Sequence, residues 1–276
     1  MNILWVFAHP DHRSLNGSLR DTALKSLAES GHTVEESDLY RMCWNPVVDS
    51  DDYGHDPADR LHVATASSRA LRTGTLAEDI VAEQEKLRRA DAVVLQFPLW
   101  WFSMPAILKG WVDRVFVEGF GYGIRGETGG TRRYGDGLMA GKRALIVTSM
   151  GGSEHTVSDR GINGSLEELL FPIQHGFFWY TGMSVLSPVL IPSADRITEQ
   201  GYGIAESELT GRLDSLFTEE AIAFRHQKGG DYDEKFVLRP EVASGQSGLR
   251  VHRSSAGQEH AKSPDARLVA GFEPRT

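Results

Sequence analysis

The chain has 276 residues, of which 40% are hydrophobic and 24% charged, the mix of a globular protein that can bury a full core. A net charge of −9 argues against nucleic acid and anionic membrane surfaces as partners, because both attract cationic faces. Cys43 is the single cysteine, which excludes an internal disulfide and a thiolate-rich metal centre, and the ten histidines show no metal spacing, so no metal site is expected.

The opening MNILWVFAHP has neither a basic leader nor a small-residue cleavage site. No apolar run approaches the roughly 18 residues of a membrane span, so the expectation is a cytoplasmic protein. Residues 3–8 (ILWVFA) form a nearly unbroken apolar run, the mark of a strand covered on both faces. A polar loop from His9 to Ser14 follows, then a helix from about Asn16 with Leu19, Ala23, Leu24 and Leu27 on one stripe and Gly31 just beyond it. Residues 33–40 alternate enough for a more exposed second strand, and residues 45–74 read as a long irregular excursion.

Thr75 and Glu78 have the spacing of a capping box for a helix reaching Ala90. Residues 92–97 (AVVLQF) predict another buried strand, which runs into the aromatic loop Pro98, Leu99, Trp100, Trp101, Phe102. A helix opened by Pro105 at its first turn then carries Ile107, Leu108, Trp111, Val112, Val115 and Phe116 at helical spacing. Residues 144–150 (ALIVTSM) predict a further buried strand, residues 185–191 a weaker one interrupted by Pro188, and residues 206–225 a helix. Alternating apolar strands and amphipathic helices predict an α/β protein, an open doubly wound parallel sheet with helices on both faces. Residues 1–225 would form that domain. Residues 226–276, poor in apolar side chains, read as a C-terminal extension over it or over a neighbouring subunit, with a disordered tail as the alternative.

Ligands of open parallel sheets sit outside the carboxyl ends of the strands. The loop with His9, Ser14 and Asn16 opens a helix, where free amides and the helix dipole favour an anion such as a pyrophosphate. Helix capping by Ser14 and Asn16 explains the same residues. Trp100, Trp101 and Phe102 suit a planar heteroaromatic ligand, for which flavin is the obvious candidate, although aromatic clusters also build cores. Gly151 and Gly152 let backbone approach a ligand closely, or simply turn the chain. The literal G-x-G-x-x-G of residues 121–126 follows a helix rather than a strand, and is rejected as a dinucleotide fingerprint.

Four stretches together resemble the NAD(P)H:quinone oxidoreductase (DT-diaphorase) family of flavodoxin-like flavoproteins: VFAHPDHRSLNGSLR, EESDLYRMCWNPVV, EDIVAEQEKLRRADAVVLQFPLWWFSMPAILKGWVDRVF and MGGSEHTVSDRGINGSLEELLFPIQHGF. The likeness continues into YDEKFVLRPEV and GLRVH, and it is to the longer, FAD-using branch. It implies that His9, Ser14, Leu15 and Asn16 hold the pyrophosphate side of FAD. It further implies that Pro98, Leu99, Trp100, Trp101 and Phe102 hold the isoalloxazine, with Ser149, Met150, Gly151 and Gly152 on its other edge. Tyr122 would roof the substrate pocket, and Tyr180 would enter from the partner of a homodimer. The family's charge-stabilising tyrosine and its paired histidine align with Val157 and Asn163, which leaves Asn163 as the candidate catalytic donor. A second pocket tyrosine aligns with Ile124, in a loop that looks longer here. The resemblance implies an FAD-dependent enzyme passing a hydride from NAD(P)H to a quinone or similar small aromatic acceptor. A regulatory nucleotide-sensing flavoprotein subunit of a membrane transporter is the alternative, and a one-electron carrier a weaker third.

Overall fold

A computed structural model describes residues 1–127 and 129–254. Residues 255–276, the second half of the expected extension, lie outside the described residues, as does Thr128 in the loop after Ile124. The chain divides into two compact units, Met1–Ile222 and a second that begins at Ala223.

The first unit is built on β1 (Asn2–Phe7), β2 (Thr33–Asp38), β3 (Ala92–Pro98) and β4 (Arg143–Ser149), with two short strands, β5 (Ser184–Val185) and β6 (Val189–Ile191). All pairs are parallel, in the order β2-β1-β3-β4, and β5 and β6 pair with successive stretches of β4. Val94 of β3, for example, lies opposite both Trp5 and Leu145. The apolar runs of β1, β3 and β4 are buried almost throughout, as a sheet covered on both faces requires. Among the described residues the helices are α1 (Leu15–Glu29), α2 (Val63–Thr73), α3 (Glu78–Arg89), α4 (Ala106–Val115), α5 (Leu166–Ile173) and α6 (Glu199–Asp214). The chain moves from β1 to β2 on one side and from β3 outward on the other. The switch point therefore falls between β1 and β3.

Several local expectations change. The excursion at 45–74 contains α2, whose buried stripe is Ala66, Ser67 and Ala70, residues too small to stand out as an apolar face. Thr75 does not cap α3: its hydroxyl meets Thr73 Oγ1 at 3.0 Å, and the helix starts at Glu78 after an uncapped Ala77. Pro105 is the residue before α4 rather than its first turn. The last helix spans 199–214 instead of 206–225, because Thr198 Oγ1 accepts from Gly201 N and Ala205, Leu209 and Leu213 form its buried stripe. Pro188 splits the strand expected at 185–191 in two. Sequence reasoning made no helix of 166–173, which Ser165 caps and a π-helical segment, Gln174–Trp179, extends. Pro172 removes a backbone donor just before that segment.

A buried cation ties the excursion to α3 and α4. Arg114 of α4 donates to Asp52 Oδ1 (2.6 Å from Nη2), Asp79 Oδ2 (2.7 Å) and the carbonyl of Asn45 (3.1 Å), and its guanidinium lies 4.6 Å from the Trp44 ring centre. Beside it, a Cβ on Gly110 would come within 2.2 Å of the Pro46 carbonyl oxygen, so only glycine allows this approach. In the second unit Arg225 plays a similar part, donating to the Val251 carbonyl and to Asp231 Oδ2, both at 2.8 Å.

Candidate active site

The β1 exit turns sharply into α1. Ser14 Oγ accepts from Gly17 N at 3.2 Å, so the capping role is real. A Cβ on Gly17 would sit 1.8 Å from the His12 carbonyl oxygen, and the tight turn depends on its absence. The amides of Leu15 and Asn16 belong to the helix's first turn, where no carbonyl of the helix can reach them. His9 Nδ1 lies 2.8 Å from the Asp11 carbonyl oxygen and 3.1 Å from its amide nitrogen, which fixes the ring and leaves Nε2 for a ligand. Asp11 itself is held at about 2 by hydrogen bonds from the Arg13 side chain and amide, so this exposed carboxylate stays charged at neutral pH.

Asn16 is 4% exposed, and its Nδ2 donates to Ser149 Oγ at 2.8 Å, across to the end of β4. Its main-chain carbonyl accepts from Gln96 Nε2 (2.8 Å), and Gln96 Oε1 accepts from Trp5 Nε1 (3.0 Å). Three strands and α1 are thus locked under one side chain. The remaining acceptor, Asn16 Oδ1, is buried with no hydrogen-bond partner. An orphaned acceptor costs stability unless a ligand donates to it.

After β3, Leu99 N donates to the Ser149 carbonyl at 2.8 Å, and Trp100 and Ser103 exchange two backbone hydrogen bonds of 3.0 Å. The residues between them, Trp101 and Phe102, have φ of 49° and 61°. This is a two-residue turn with both central residues left-handed, a conformation that asparagine and glycine accept and bulky aromatics resist. The turn holds Trp101 95% exposed and Phe102 49% exposed. Trp101→Ala is therefore expected to leave the melting temperature within about 2 °C of the parent, since truncating an exposed side chain costs little. Flavin retention or the acceptor KM should change instead. A fall in stability of about 3–5 kcal/mol, the cost of losing a core tryptophan, would overturn the reading.

A cleft of about 280 Å³ opens between these three loops. His9, Ser14, Leu15, Asn16, Pro98, Leu99, Trp100, Ser149, Met150 and Gly151 line it. Trp101, Phe102 and Gly152 lie on the same loops but outside the lining. Ala194 and Asp195 also line it, and sequence reasoning missed both. They sit in a polar turn after the weak strand β6, and nothing in their local sequence marks them.

The other expected residues do not border this cleft. Val157, 5% exposed, ends a short 3-10 turn, and Asn163 N donates to Thr156 O at 3.0 Å beside it. Burial pushes the Tyr122 phenol upward, so it remains a hydrogen-bond donor at neutral pH. Tyr180 packs edge-on to Tyr134 at 5.1 Å, and the loop carrying Tyr134 donates its amide to the Tyr180 carbonyl. Ile124 stands in that loop, where its carbonyl accepts from Arg132 N. Among the described residues no three His, Cys, Asp or Glu side chains gather as metal ligands, and no helix is long and apolar enough to cross a membrane.

The donor set fits a flavin nucleotide. Free α1 amides suit its phosphate, Asn16 Oδ1 needs the kind of hydroxyl that a ribityl chain carries, and the backbone beside Trp100 and Gly151 can border a planar ring. A parallel sheet of this order, with such a cleft at the carboxyl ends of its strands, defines a flavodoxin-like protein. The chain belongs to the quinone reductase family of that fold. A family model described as flavodoxin-like fold matches residues 1–209. A ribosyldihydronicotinamide dehydrogenase-like protein of Penicillium crustosum is 43% identical over 258 residues, 91% of this chain and 95% of that protein. NAD(P)H dehydrogenase [quinone] 1 of Rattus norvegicus is 36% identical, over 87% of this chain and 86% of its own. A solved structure from Klebsiella pneumoniae, described as a candidate quinone reductase, superposes with a TM-score of 0.89 at 46% identity, covering 92% of this chain and all of the other. The chain is an oxidoreductase of that family.

Proposed function

We propose that the protein is an FAD-dependent NAD(P)H:quinone oxidoreductase, working as a cytoplasmic homodimer. One observation carries the reading: a cleft at the strand ends joins the free amides of α1 to a buried, unpartnered acceptor, beside a strained and exposed aromatic turn. The family relatives supply the electron donors and acceptors to be tried, since they are named for NAD(P)H, ribosyldihydronicotinamide and quinones. A bound flavin would supply two-electron chemistry between a nicotinamide and an acceptor.

The chain's own residues bind and orient. Leu15 and Asn16 amides with His9 Nε2 would hold the pyrophosphate, and Asn16 Oδ1 would take a ribityl hydroxyl. The Pro98–Trp100 and Ser149–Gly152 backbones would border the ring. Trp101 and Phe102 would stand beside its reacting face. Tyr122 and Tyr180 bound the acceptor's place, and the Asn163 amide is the donor available where the resemblance places negative charge, Val157 having none to give.

The purified protein is expected to be yellow and, after heat release, to yield FAD on chromatography. FMN, or no flavin, would sink the cofactor assignment. Turnover of NADH, NADPH or N-ribosyldihydronicotinamide with a simple quinone by the protein alone tests the reaction, and absence of turnover with all three donors refutes it. Sedimentation at micromolar concentration tests the dimer.

A further inference from the structure

We propose that a second cavity, outside the carboxyl ends of β1 and β2, takes the 2′-phosphate of NADPH and makes that donor preferred over NADH. The inference rests on the oxidoreductase reading above and specifies its donor, which the resemblance leaves open.

This cavity measures about 550 Å³, against about 280 Å³ for the cleft, and His9 borders both. It opens where Phe7 and Asp38 end their strands side by side. Arg20 of α1 forms one wall, with 11% of its side chain exposed and its guanidinium 4.6 Å from the Phe7 ring centre. Three carboxylates take up its charge: Asp21 at 2.8 Å, Asp38 at 3.2 Å and Glu36 at 3.3 Å. Asp38 is engaged on both oxygens, since Oδ2 accepts from Arg20 and Oδ1 accepts from Arg41 N at 3.1 Å. That second bond, with Met42 N to Asp38 O (2.9 Å) and Trp44 N to Leu39 O (3.0 Å), sets the turn that carries Arg41. The Arg41 guanidinium is exposed and makes no hydrogen bond or ion pair among the described residues. The His12 ring and the Tyr40 phenol line the same cavity, likewise without a side-chain hydrogen bond among those residues. Burial pushes the Tyr40 phenol upward, so it donates at neutral pH.

The groups left over decide the ligand. With histidines counted as neutral, the lining carries two arginines and one aspartate, a net charge of +1 in a chain of −9. In dinucleotide-binding sheets, an acid beyond the first strand and helix accepts from the ribose hydroxyls of NAD, whereas an arginine accommodates the 2′-phosphate of NADP. Here the acid, Asp38, is neutralised by Arg20, and the arginine, Arg41, is free. A ribose diol would meet a carboxylate that is already taken. A phosphate monoester carries a charge of about −1.5 to −2 and three acceptor oxygens, which suits Arg41, Tyr40 and His12 as donors. The planar fork of Arg41 matches two of those oxygens at once. NADPH has such a monoester on its adenosine ribose; NADH does not.

Full-length, flavin-loaded protein is titrated with adenosine 2′,5′-bisphosphate and with AMP, for the parent and Arg41→Ala, beside steady-state turnover with NADPH, NADH and N-ribosyldihydronicotinamide. The parent should bind the bisphosphate more tightly than AMP and show its lower KM for NADPH, a preference that shrinks as salt is raised. Arg41→Ala should weaken the bisphosphate and raise the NADPH KM roughly tenfold or more, the effect of losing a charge-assisted hydrogen bond. The kcat with NADPH should hold, because a phosphate remote from the reacting carbon is bound alike in the ground and transition states. NADH and the ribosyl donor lack the phosphate and should keep their KM. The Arg41 side chain is exposed, and unchanged melting of the variant controls for folding. A parent without preference for the bisphosphate and for NADPH, or a variant that keeps the parent's preference, overturns the site and leaves the oxidoreductase reading intact. Absence of turnover with all three donors refutes that reading and takes the donor assignment with it.

Discussion

Arg114→Ala is expected to destabilise the protein by about 3–5 kcal/mol, the cost of breaking a buried ion pair on one side. Both Arg114 and Asp52 are almost wholly buried, with 4% and 3% of their side chains exposed, whereas 44% of Asp79 reaches solvent. Burial works against the Arg114 charge, but hydrogen bonds to Asp52 and Asp79 outweigh it and hold the guanidinium firmly protonated. Without the arginine, Asp79 can rehydrate and Asp52 cannot. Asp52 would keep only the amide of Asp49 at 3.3 Å, and the Trp44 ring would lose its cation. A loss of that size lowers the melting temperature of a chain this long by on the order of 10 °C. Thermal unfolding of Arg114→Ala checks it, and Arg114→Met with Asp52→Asn should recover part of the loss by removing the stranded charge. A single mutant within 1 kcal/mol of the parent would show that water reaches Asp52 and that the clamp is dispensable. Because the clamp holds residues 44–53 and the start of α3 to α4, the helix that follows the aromatic turn, flavin retention should fall as well.

The strands that build the site were legible because they are covered on both faces. β1, β3 and β4 are apolar runs that no other element explains, and their order placed three loops at one end of the sheet. The cleft between those loops followed from topology together with their polar and aromatic composition. What the sequence hid is of a different kind. The small residues Ala66, Ser67 and Ala70 pack α2 without the bulk that periodicity detects, and Gly201, Gly203 and Gly211 disguised α6, which its Thr198 cap and buried Leu209 and Leu213 hold. The left-handed turn at Trp101 and Phe102 runs against the conformational preference of its own residues. Asp195 reaches the cleft through backbone bonds between β4 and β6, partners about forty residues apart that no local pattern announces.

Asn16→Leu is expected to separate stability from cofactor binding. The wild-type side chain spends one hydrogen bond on Ser149 Oγ and leaves Oδ1 buried and unpaired in the flavin-free protein. Leucine of similar size removes the Ser149 bond, worth about 1 kcal/mol, and also removes an unsatisfied acceptor whose burial costs about 1–3 kcal/mol. Those terms oppose each other, so the flavin-free variant should melt within a few degrees of the parent or slightly above it. The Gln96 bridge is untouched, because it reaches the main-chain carbonyl of residue 16 and not its side chain. With flavin the balance changes, since the hydroxyl that would have found Oδ1 now faces a methyl group and loses its partner. Affinity should fall by about 1.5–3 kcal/mol, roughly 10- to 150-fold. Flavin added to parent and variant therefore should raise the parent's melting temperature far more. Gln96→Leu offers the contrast: it strands Trp5 Nε1 and the Asn16 carbonyl in the core, so stability and flavin affinity should fall together. If Asn16→Leu bound flavin as well as the parent, the orphaned oxygen would have no part in cofactor recognition. If it unfolded the flavin-free protein, Asn16 would be a structural bridge between α1 and β4 before it is anything else.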